Sequence, residues 1–167
     1  KHKDLEKEVM NTCDRLLVTS PTTKTEFEAI TSKPIEVITN GYDIATEPSL
    51  QLDAKFSLAH IGSLLSARNP IVLWEALAEL LQELPDLAQH MQLNFIGTTS
   101  QEVKDALARY GLAKYMQDFG YVSHQEAVRF QKESQVLLLI EIDSPDTKLI
   151  LPGKLFEYLV AADNVES

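Results

Sequence analysis

The sequence predicts an α/β domain with a doubly wound parallel sheet, and two observations support the prediction. Short apolar runs alternate with longer amphipathic segments along the chain, which is typical of repeated strand and helix units. Several short runs, such as Leu-Leu-Val and Val-Leu-Leu-Leu-Ile, are apolar throughout, as expected of strands buried on both faces of a parallel sheet. Ligands of such sheets bind beyond the carboxyl ends of the strands. We therefore expect functional residues in the loops that lead from a strand into a helix.

Six of the short apolar runs are predicted to be strands. In chain order they are 15–19, 35–38, 56–61, 92–96, 116–119 and 135–140. The polar stretch 44–55 is the one long loop or hinge that the composition indicates. The sequence contains neither an internal repeat nor a Gly/Ser-rich linker.

The amphipathic segment 70–84 has the clearest helical pattern. Its apolar side chains recur every three or four residues, at Leu73, Ala76, Leu77, Leu80, Leu81 and Leu84. Asn69 is the expected N-cap, and Pro70 is expected at the first helical position.

Three further helices are indicated by their terminal residues. Ser123 and Glu126 have the spacing of a capping box, which opens one of them. A second helix is predicted over about 100–110, where Gly111 ends it. A third begins near Lys154. Helices that alternate with strands in this way predict right-handed crossovers between parallel strands.

The charge balance excludes several classes of partner. The chain of 167 residues has 15 Lys and Arg against 25 Asp and Glu, a formal charge of -10. Nucleic acids and anionic membranes bind proteins through clustered cations, so we expect no nucleic-acid partner. An anionic ligand would be held by a few local cations and helix N-termini. With 44% hydrophobic residues, the composition is that of a globular protein.

Cysteine usage and hydropathy predict a cytoplasmic protein. Cys13 is the single cysteine, so neither a disulfide framework nor a cysteine-rich metal site is expected. The longest uninterrupted apolar run, 136–140, is far shorter than the roughly 20 residues that span a bilayer. The first residues do not have the apolar region of a signal peptide. Because the sequence begins with Lys1 rather than Met, we expect a processed chain or part of a longer one.

The loop 60–70 is the first candidate site. It follows a predicted strand and leads into the helix at 70–84, and His60 is predicted to be a packing residue at the strand end. Gly62 lets a ligand approach the backbone closely, and Arg68 lies just before the free N–H groups of a helix end. Together they predict a phosphate cradle. Alternatively, Gly62 only makes a turn and Arg68 is a solvated charge. The loop is not a P-loop, because the Gly-Lys-Ser/Thr ending is missing.

Two more loops are candidates. In 151–159, Lys154 and the helix N-terminus can hold a diphosphate, and Glu157 can accept hydrogen bonds from sugar hydroxyls. The alternative there is an ordinary Lys-Glu pair on an amphipathic helix. The loop 120–124 places His124 in the first turn of a helix. No Ser-His-Asp order with supporting context, His-Glu-x-x-His motif or cysteine pair is present, so nucleophilic and zinc catalysis are not predicted.

Taken together and in this order, the loops resemble a known family. The chain is similar to the C-terminal, nucleotide-sugar-binding half of GT-B glycosyltransferases, in the large retaining group that is family 4 of the usual classification and in its bacterial polysaccharide-synthesis branch. The segments that carry the resemblance are 14–20, 36–43, 60–64, 68–70, 95–97, 120–127 and 152–159. The most characteristic of them reads Pro-Gly-Lys-Leu-Phe-Glu-Tyr-Leu, at 152–159. The resemblance covers nearly the whole chain.

The resemblance implies a Rossmann-like donor domain and assigns roles within it. Arg68 and Lys154 are the implied catalytic residues, which stabilise the leaving diphosphate. The other implied donor-binding residues are Gly62 and Ser63 at the diphosphate, Tyr121 and Val122 at the nucleobase, Gly153 and Leu155 at the helix N-terminus that meets the distal phosphate, and Glu157 at the ribose. Neither a metal nor a cofactor is implied.

The resemblance also implies an incomplete chain. Residues 1–39 would be the remnant of an N-terminal acceptor domain with the crossing segment, and 40–167 the C-terminal nucleotide-sugar-binding domain, truncated at its C-terminus. Many relatives have two Glu separated by seven residues. With the second of them at Glu157, Leu149 stands at the first, and nothing in the sequence puts the nearby carboxylates Glu141 and Asp143 in register with it.

The implied function is transfer of a sugar from a nucleotide-diphosphate donor to a saccharide or lipid-linked acceptor, with retention, in cell-surface polysaccharide synthesis. The full-length protein would act at the inner face of the membrane, with peripheral contact through its N-terminal domain, and this fragment alone would be inactive. The alternative is a non-catalytic Rossmann-like nucleotide-binding module. A third interpretation, a phosphoacceptor regulatory domain, is poorly supported by Asp143 and Lys148.

Overall fold

The computed structural model describes residues 2–41, 51–142 and 152–163. Its helices and strands, in chain order, are α1 (His2–Thr12), β1 (Leu16–Val18), α2 (Pro21–Glu28), β2 (Ile35–Val37), β3 (Phe56–Ile61), α3 (Ile71–Glu83), α4 (Pro85–His90), β4 (Met91–Ile96), α5 (Gln101–Arg109), β5 (Met116–Gly120), α6 (His124–Glu133), β6 (Val136–Leu137) and α7 (Gly153–Asp163), with 3-10 turns at Ser66–Arg68 and Ala113–Tyr115. The chain divides into two compact units. Of the described residues, 2–41 and 152–157 belong to the first, and 51–142 and 158–163 to the second.

The first unit contains a small parallel sheet. Its two strands, β1 and β2, pair with Leu16 opposite Ile35. Helix α2 begins at an N-cap, Ser20, whose hydroxyl oxygen accepts a hydrogen bond from the backbone N–H of Thr23. The hydroxyl of Thr31 donates to the Met10 carbonyl over 3.3 Å, which ties the segment after α2 to α1.

The second unit contains the main sheet, whose strand order is β5-β4-β3-β6 with all neighbours parallel. From β3 the chain moves outward to β4 and β5, and then returns to the other side of β3 for β6. This reversal makes the sheet doubly wound, as predicted. Its switch point, where the order reverses, lies between the carboxyl ends of β3 and β6. Ligands of doubly wound sheets bind at that place.

One hydrophobic core holds α3 and α5 against the sheet. It is formed by the buried side chains of Leu58, Leu64, Trp74, Leu77, Leu81, Met91, Leu93, Phe95, Val103, Ala106, Leu107 and Leu112. Trp74 is fully buried, with its ring edge-on to Phe95 at a centroid distance of 6.1 Å. Because each fully buried Leu, Val, Met or Phe side chain contributes about 1.5–3 kcal/mol, this core stabilises the strands from which the candidate loops leave.

The structure corrects two local predictions. Asn69 does not cap α3: the N-cap is Pro70, without a side-chain cap, and the helix begins at Ile71. Instead, the side-chain oxygen of Asn69 accepts a hydrogen bond from the indole N–H of the buried Trp74 over 2.7 Å.

The sixth strand is also shorter than the predicted segment 135–140, and ends at Leu137. The backbone N–H of Leu138 still donates to the carbonyl of Ala59 over 2.8 Å. The carbonyl of Leu138, however, lies 3.0 Å from Nδ1 of His60. The His60 side chain therefore contacts the Leu138 carbonyl where a backbone N–H of β3 would continue the sheet, and the chain leaves the sheet there.

Candidate functional site at the switch point of the sheet

The carboxyl ends of three strands in the second unit are joined by close backbone contacts. Each is followed or ended by a glycine with positive φ, at Gly62, Gly97 and Gly120. The N–H of Gly62 donates to the Ile96 carbonyl over 2.6 Å, and the N–H of Gly97 donates to the Gly120 carbonyl over 2.7 Å. Glycine at these positions permits a conformation that other residues rarely adopt. The three strand ends are thereby held in one continuous edge.

The loop after β3 is fixed by the loop after β4. The N–H of Leu64 donates to the Thr98 carbonyl over 2.8 Å, and the N–H of Ser100 donates back to the Leu64 carbonyl over 3.0 Å. The Leu64 side chain is fully buried in the core. The 3-10 turn Ser66–Arg68 follows, and Arg68 is its last residue. Arg68 therefore belongs to an ordered loop between β3 and α3.

Arg68 is a half-buried cation with unused hydrogen-bonding capacity. Its Nη2 lies 3.5 Å from Oε2 of Glu141, and about a third of its side chain is exposed (34%). Its Nε atom is buried and has no hydrogen-bond partner among the residues that the structure describes. Buried donors without an acceptor are uncommon in folded proteins and destabilise them. Arg68 therefore has one N–H donor available for a further acceptor.

Glu141 reaches Arg68 because the segment after β6 is held beside β3. His60, which is 2% exposed, lies 3.0 Å from the Leu138 carbonyl through its Nδ1. The prediction that His60 packs at a strand end is thus confirmed, and the structure adds this contact. Glu141 follows three residues later. The carboxylate was not placed in register by the sequence, although its position directly after a predicted strand at the switch point was a usable signal.

Tyr121 and Val122 leave the sheet at the end of β5. Tyr121 is 84% exposed, and Val122 is half-buried. Because β4 lies between β3 and β5, these two residues share the sheet edge with Gly62 and Ser63 but do not adjoin them. The structure thus brings Gly62, Ser63 and Arg68 together on one loop and places Tyr121 and Val122 two strands away.

The helix after this loop begins with the predicted capping box. The Ser123 hydroxyl oxygen accepts from the N–H of Glu126 over 3.2 Å, and Oε2 of Glu126 accepts from the N–H of Ser123 over 3.1 Å. The hydrogen bonds from the Ser123 side chain, then from its backbone, hold the pKa of Glu126 below its ordinary value. His124, the first helical residue, is exposed.

Four other predicted site residues lie at the start of α7, in the first compact unit. Gly153, Lys154 and Leu155 occupy the first turn and are half-buried, and Glu157 is exposed. Helix formation there agrees with the prediction of a helix beginning near Lys154. Their assembly with Arg68 into one site stays a prediction. Leu149, Asp143 and Lys148 lie outside the described residues.

Neither a metal-binding cluster nor a membrane-spanning helix occurs among the described residues. Within 2–41, 51–142 and 152–163, no group of three or more His, Cys, Asp or Glu side chains could hold a metal ion. In the described part of the chain, no helix combines the length and the apolar character needed to cross a bilayer.

The fold has clear counterparts among solved structures. A mutant of S. aureus TarM, in complex with fondaparinux, α-GlcNAc-glycerol and UDP, is 12% identical with a TM-score of 0.66, over 95% of this chain and 30% of that one. The pneumococcal O-GlcNAc transferase GtfA, in complex with UDP and GlcNAc, is 19% identical with a TM-score of 0.63, over 89% and 28%. WaaG, a glycosyltransferase involved in lipopolysaccharide biosynthesis, is 14% identical with a TM-score of 0.64, over 87% and 42%.

These structures define the class of fold. They are GT-B glycosyltransferases, and the chain has the fold of one part of such a protein, which confirms the predicted Rossmann-like architecture and is consistent with the predicted C-terminal half. No protein-family model matches the sequence, and no curated protein matches it. The chain spans less than half the length of each of the three structures.

Proposed function

We propose that the full-length protein transfers a sugar from a nucleotide-diphosphate donor to a saccharide or lipid-linked acceptor, with retention at the anomeric carbon, in cell-surface polysaccharide synthesis. The fold is shared with TarM and GtfA, both solved with UDP, and with WaaG, which acts in lipopolysaccharide biosynthesis. This likeness supports a nucleotide-sugar donor.

Arg68 provides the observation that carries the proposal. Its guanidinium lies where the strand order of a doubly wound sheet reverses, which is the usual ligand position. Its buried Nε–H has no acceptor among the described residues, and its one recorded ion pair there is long at 3.5 Å. A phosphate group offers several acceptor oxygens to the planar fork of an arginine. A diphosphate would therefore satisfy the donor that the protein leaves unused.

The proposed chemistry is electrostatic. Negative charge builds on the diphosphate as the bond to the sugar breaks, and fixed cations and N–H groups stabilise it. We assign Arg68 and Lys154 to that role, without a metal ion or a cofactor. The remaining donor contacts that we propose are Gly62 and Ser63 at the diphosphate, Tyr121 and Val122 at the nucleobase, Gly153 and Leu155 at the distal phosphate, and Glu157 at the ribose hydroxyls.

The overall charge makes these local groups important. This chain has a formal charge of -10, and a field of that sign repels a diphosphate at long range. Binding then depends on the few cations at the site. We place the protein in the cytoplasm at the inner face of the membrane, with membrane contact made by parts of the protein beyond this chain.

The test is a calorimetric titration of the full-length protein with UDP, alongside Arg68→Ala and Arg109→Ala. Arg109 is a matched control, because it is an exposed arginine at the far end of α5. We expect wild type and Arg109→Ala to bind UDP alike, and Arg68→Ala to bind at least about tenfold more weakly, as for loss of a charge-assisted contact of about 1.5–3 kcal/mol. Equal binding by all three proteins would disprove the assignment of Arg68.

Nucleotide release from a sugar donor separates catalysis from binding alone. The alternative function, a non-catalytic nucleotide-binding module, is favoured by Leu149 at the position where many relatives have a glutamate. A catalyst would release UDP from a UDP-sugar in the presence of an acceptor. A binding module would take up UDP in the titration and release none from any sugar of a donor panel.

A further inference from the structure

We propose that Glu141 is an internal competitor of the donor diphosphate. Its carboxylate pairs with Arg68 while the site is empty and gives up the guanidinium when the diphosphate binds. Glu141 thereby sets the nucleotide affinity of the site. The inference rests on the proposed function, because it takes the anion that binds Arg68 to be a nucleoside diphosphate.

The first argument is position. Arg68 follows β3 and Glu141 follows β6, so the pair joins the two strand ends at the switch point. The segment that carries Glu141 is tied to β3 by the bond from the Leu138 N–H to the Ala59 carbonyl and by the contact of His60 with the Leu138 carbonyl. The fold therefore places the Glu141 carboxylate beside Arg68, where an anionic ligand is expected.

The second argument is that the pair is replaceable. A strong arginine–carboxylate pair is bidentate, with two short N–H···O bonds, whereas Nη2 of Arg68 lies 3.5 Å from Oε2 of Glu141. Their side chains are 34% and 39% exposed, and ion pairs with this exposure contribute little to stability. By comparison, Lys104 and Asp118 in the same unit are 2.6 Å apart. Exchanging Glu141 for another anion therefore costs little.

The third argument is the sign of the charges. The carboxylate and a diphosphate would lie near the same guanidinium, so they repel each other and compete for its N–H groups. Neutralising Glu141 while keeping its shape removes this repulsion and weakens its hold on Arg68. The same competition favours departure of the nucleotide product, because the carboxylate can take back the guanidinium as the diphosphate leaves. Product release limits turnover in many enzymes.

Glu141→Gln is the variant that tests the inference, and Glu133→Gln is its matched control. Glu133 also pairs with an arginine, Arg129, at 3.4 Å, but at the end of α6. UDP affinities are measured by calorimetry on the full-length protein at low ionic strength, where partly exposed charges are least screened. We expect Glu141→Gln to bind UDP roughly 1.5- to 5-fold more tightly, the size of one partly exposed ion pair, and Glu133→Gln to bind like wild type.

An Arg68→Ala background shows whether the effect passes through the guanidinium. There, Glu141→Gln is expected to change UDP affinity less than it does in wild type, because no shared cation remains. Unfolding in urea confirms that each variant is folded. Unchanged or weaker UDP binding by Glu141→Gln would overturn the inference while leaving the nucleotide site intact. Absence of binding by UDP and by the other nucleoside diphosphates in wild type would overturn the proposed function, and this inference with it.

Discussion

Gly62 and Gly97 lie back to back at the carboxyl ends of β3 and β4. A Cβ atom placed on Gly97 would be 2.5 Å from the carbonyl oxygen of Gly62 and 2.8 Å from its carbonyl carbon. Both glycines have positive φ, at 126° and 118°. The backbones of the two loops therefore touch directly, and this contact sets the path of the loop that carries Arg68.

Replacing Gly97 with alanine is expected to destabilise the second unit. The added Cβ would strike backbone atoms, which cannot move aside as a flexible side chain can, and alanine rarely adopts φ near 118°. Backbone strain of this kind costs about 1–3 kcal/mol, so with the clash we expect a loss of at least about 2 kcal/mol in the free energy of unfolding. Urea denaturation measures it.

Gly111→Ala is the control for this prediction. Gly111 has φ 71°, and a Cβ there would meet nothing within 4 Å. Alanine should therefore lose only about 1–2 kcal/mol, for the left-handed conformation. If Gly97→Ala were no more destabilising than Gly111→Ala, the close approach to Gly62 would not matter energetically.

Asn69 is predicted to stabilise the buried indole of Trp74. Its side-chain oxygen accepts from Nε1 of Trp74 over 2.7 Å, while its Nδ2 donates to the Glu102 carbonyl over 3.3 Å. Asn69→Ala would leave the indole N–H unsatisfied in the core, which costs about 1–3 kcal/mol. Because Trp74 is the single tryptophan, its fluorescence can follow unfolding in urea.

Asn69→Asp separates the two hydrogen bonds. The aspartate keeps an acceptor for the indole but loses the amide donor to Glu102. We expect it to retain more stability than Asn69→Ala. The opposite order would show that repulsion between the new carboxylate and the Glu102 carbonyl outweighs the retained bond to the indole.

The elements of the fold that depend on local pattern were predictable. The strand at 56–61 has the predicted bounds, and the capping box at Ser123 forms as its spacing indicates. Three helices, α1, α2 and α4, were not predicted from the pattern. Helices α2 and α4 each begin with proline and are too short to show a clear apolar stripe, and α1 has one buried residue, Met10. Propensity in such short segments is weak compared with packing.

The contacts within the candidate site depend on strand order, which the sequence does not state. The loops at Gly62 and Tyr121 were identified from turn and helix signals. The pairing of Arg68 with Glu141 was not, because it requires β6 to lie beside β3 rather than beside β5. Tertiary packing also explains Asn69. It has the sequence signature of an N-cap, but in the folded protein its side-chain oxygen accepts a hydrogen bond from the indole of Trp74.

Acid is predicted to weaken the start of α6. The pKa of Glu126 is lowered by hydrogen bonds from Ser123, so the folded state favours the carboxylate. Its contribution to stability is then fully present above the unfolded pKa of about 4.3 and is lost as the pH falls through the lowered folded value. The destabilisation caused by Glu126→Gln should accordingly be largest above roughly pH 5 and shrink in more acidic solution.

Ser123→Ala provides the control for this pH dependence. Without the hydroxyl, the main cause of the lowered pKa is gone. Glu126→Gln in that background should change the free energy of unfolding by an amount that varies less with pH. A pH dependence that Ser123→Ala leaves unaltered would assign it to another group.

Substitutions at Arg68 are expected to reduce the rate of sugar transfer according to how well they hold a phosphate. Removing one group that stabilises the leaving charge typically lowers kcat about 100- to 1,000-fold, which we predict for Arg68→Ala in the full-length protein. Arg68→Lys keeps one positive charge but loses the planar fork, so its kcat should lie between those of Arg68→Ala and wild type. Steady-state release of UDP from the preferred donor measures kcat and KM separately. A change confined to KM would mean that Arg68 binds the donor without stabilising the transition state, and an equal loss in Arg109→Ala would mean that the effect is one of general charge.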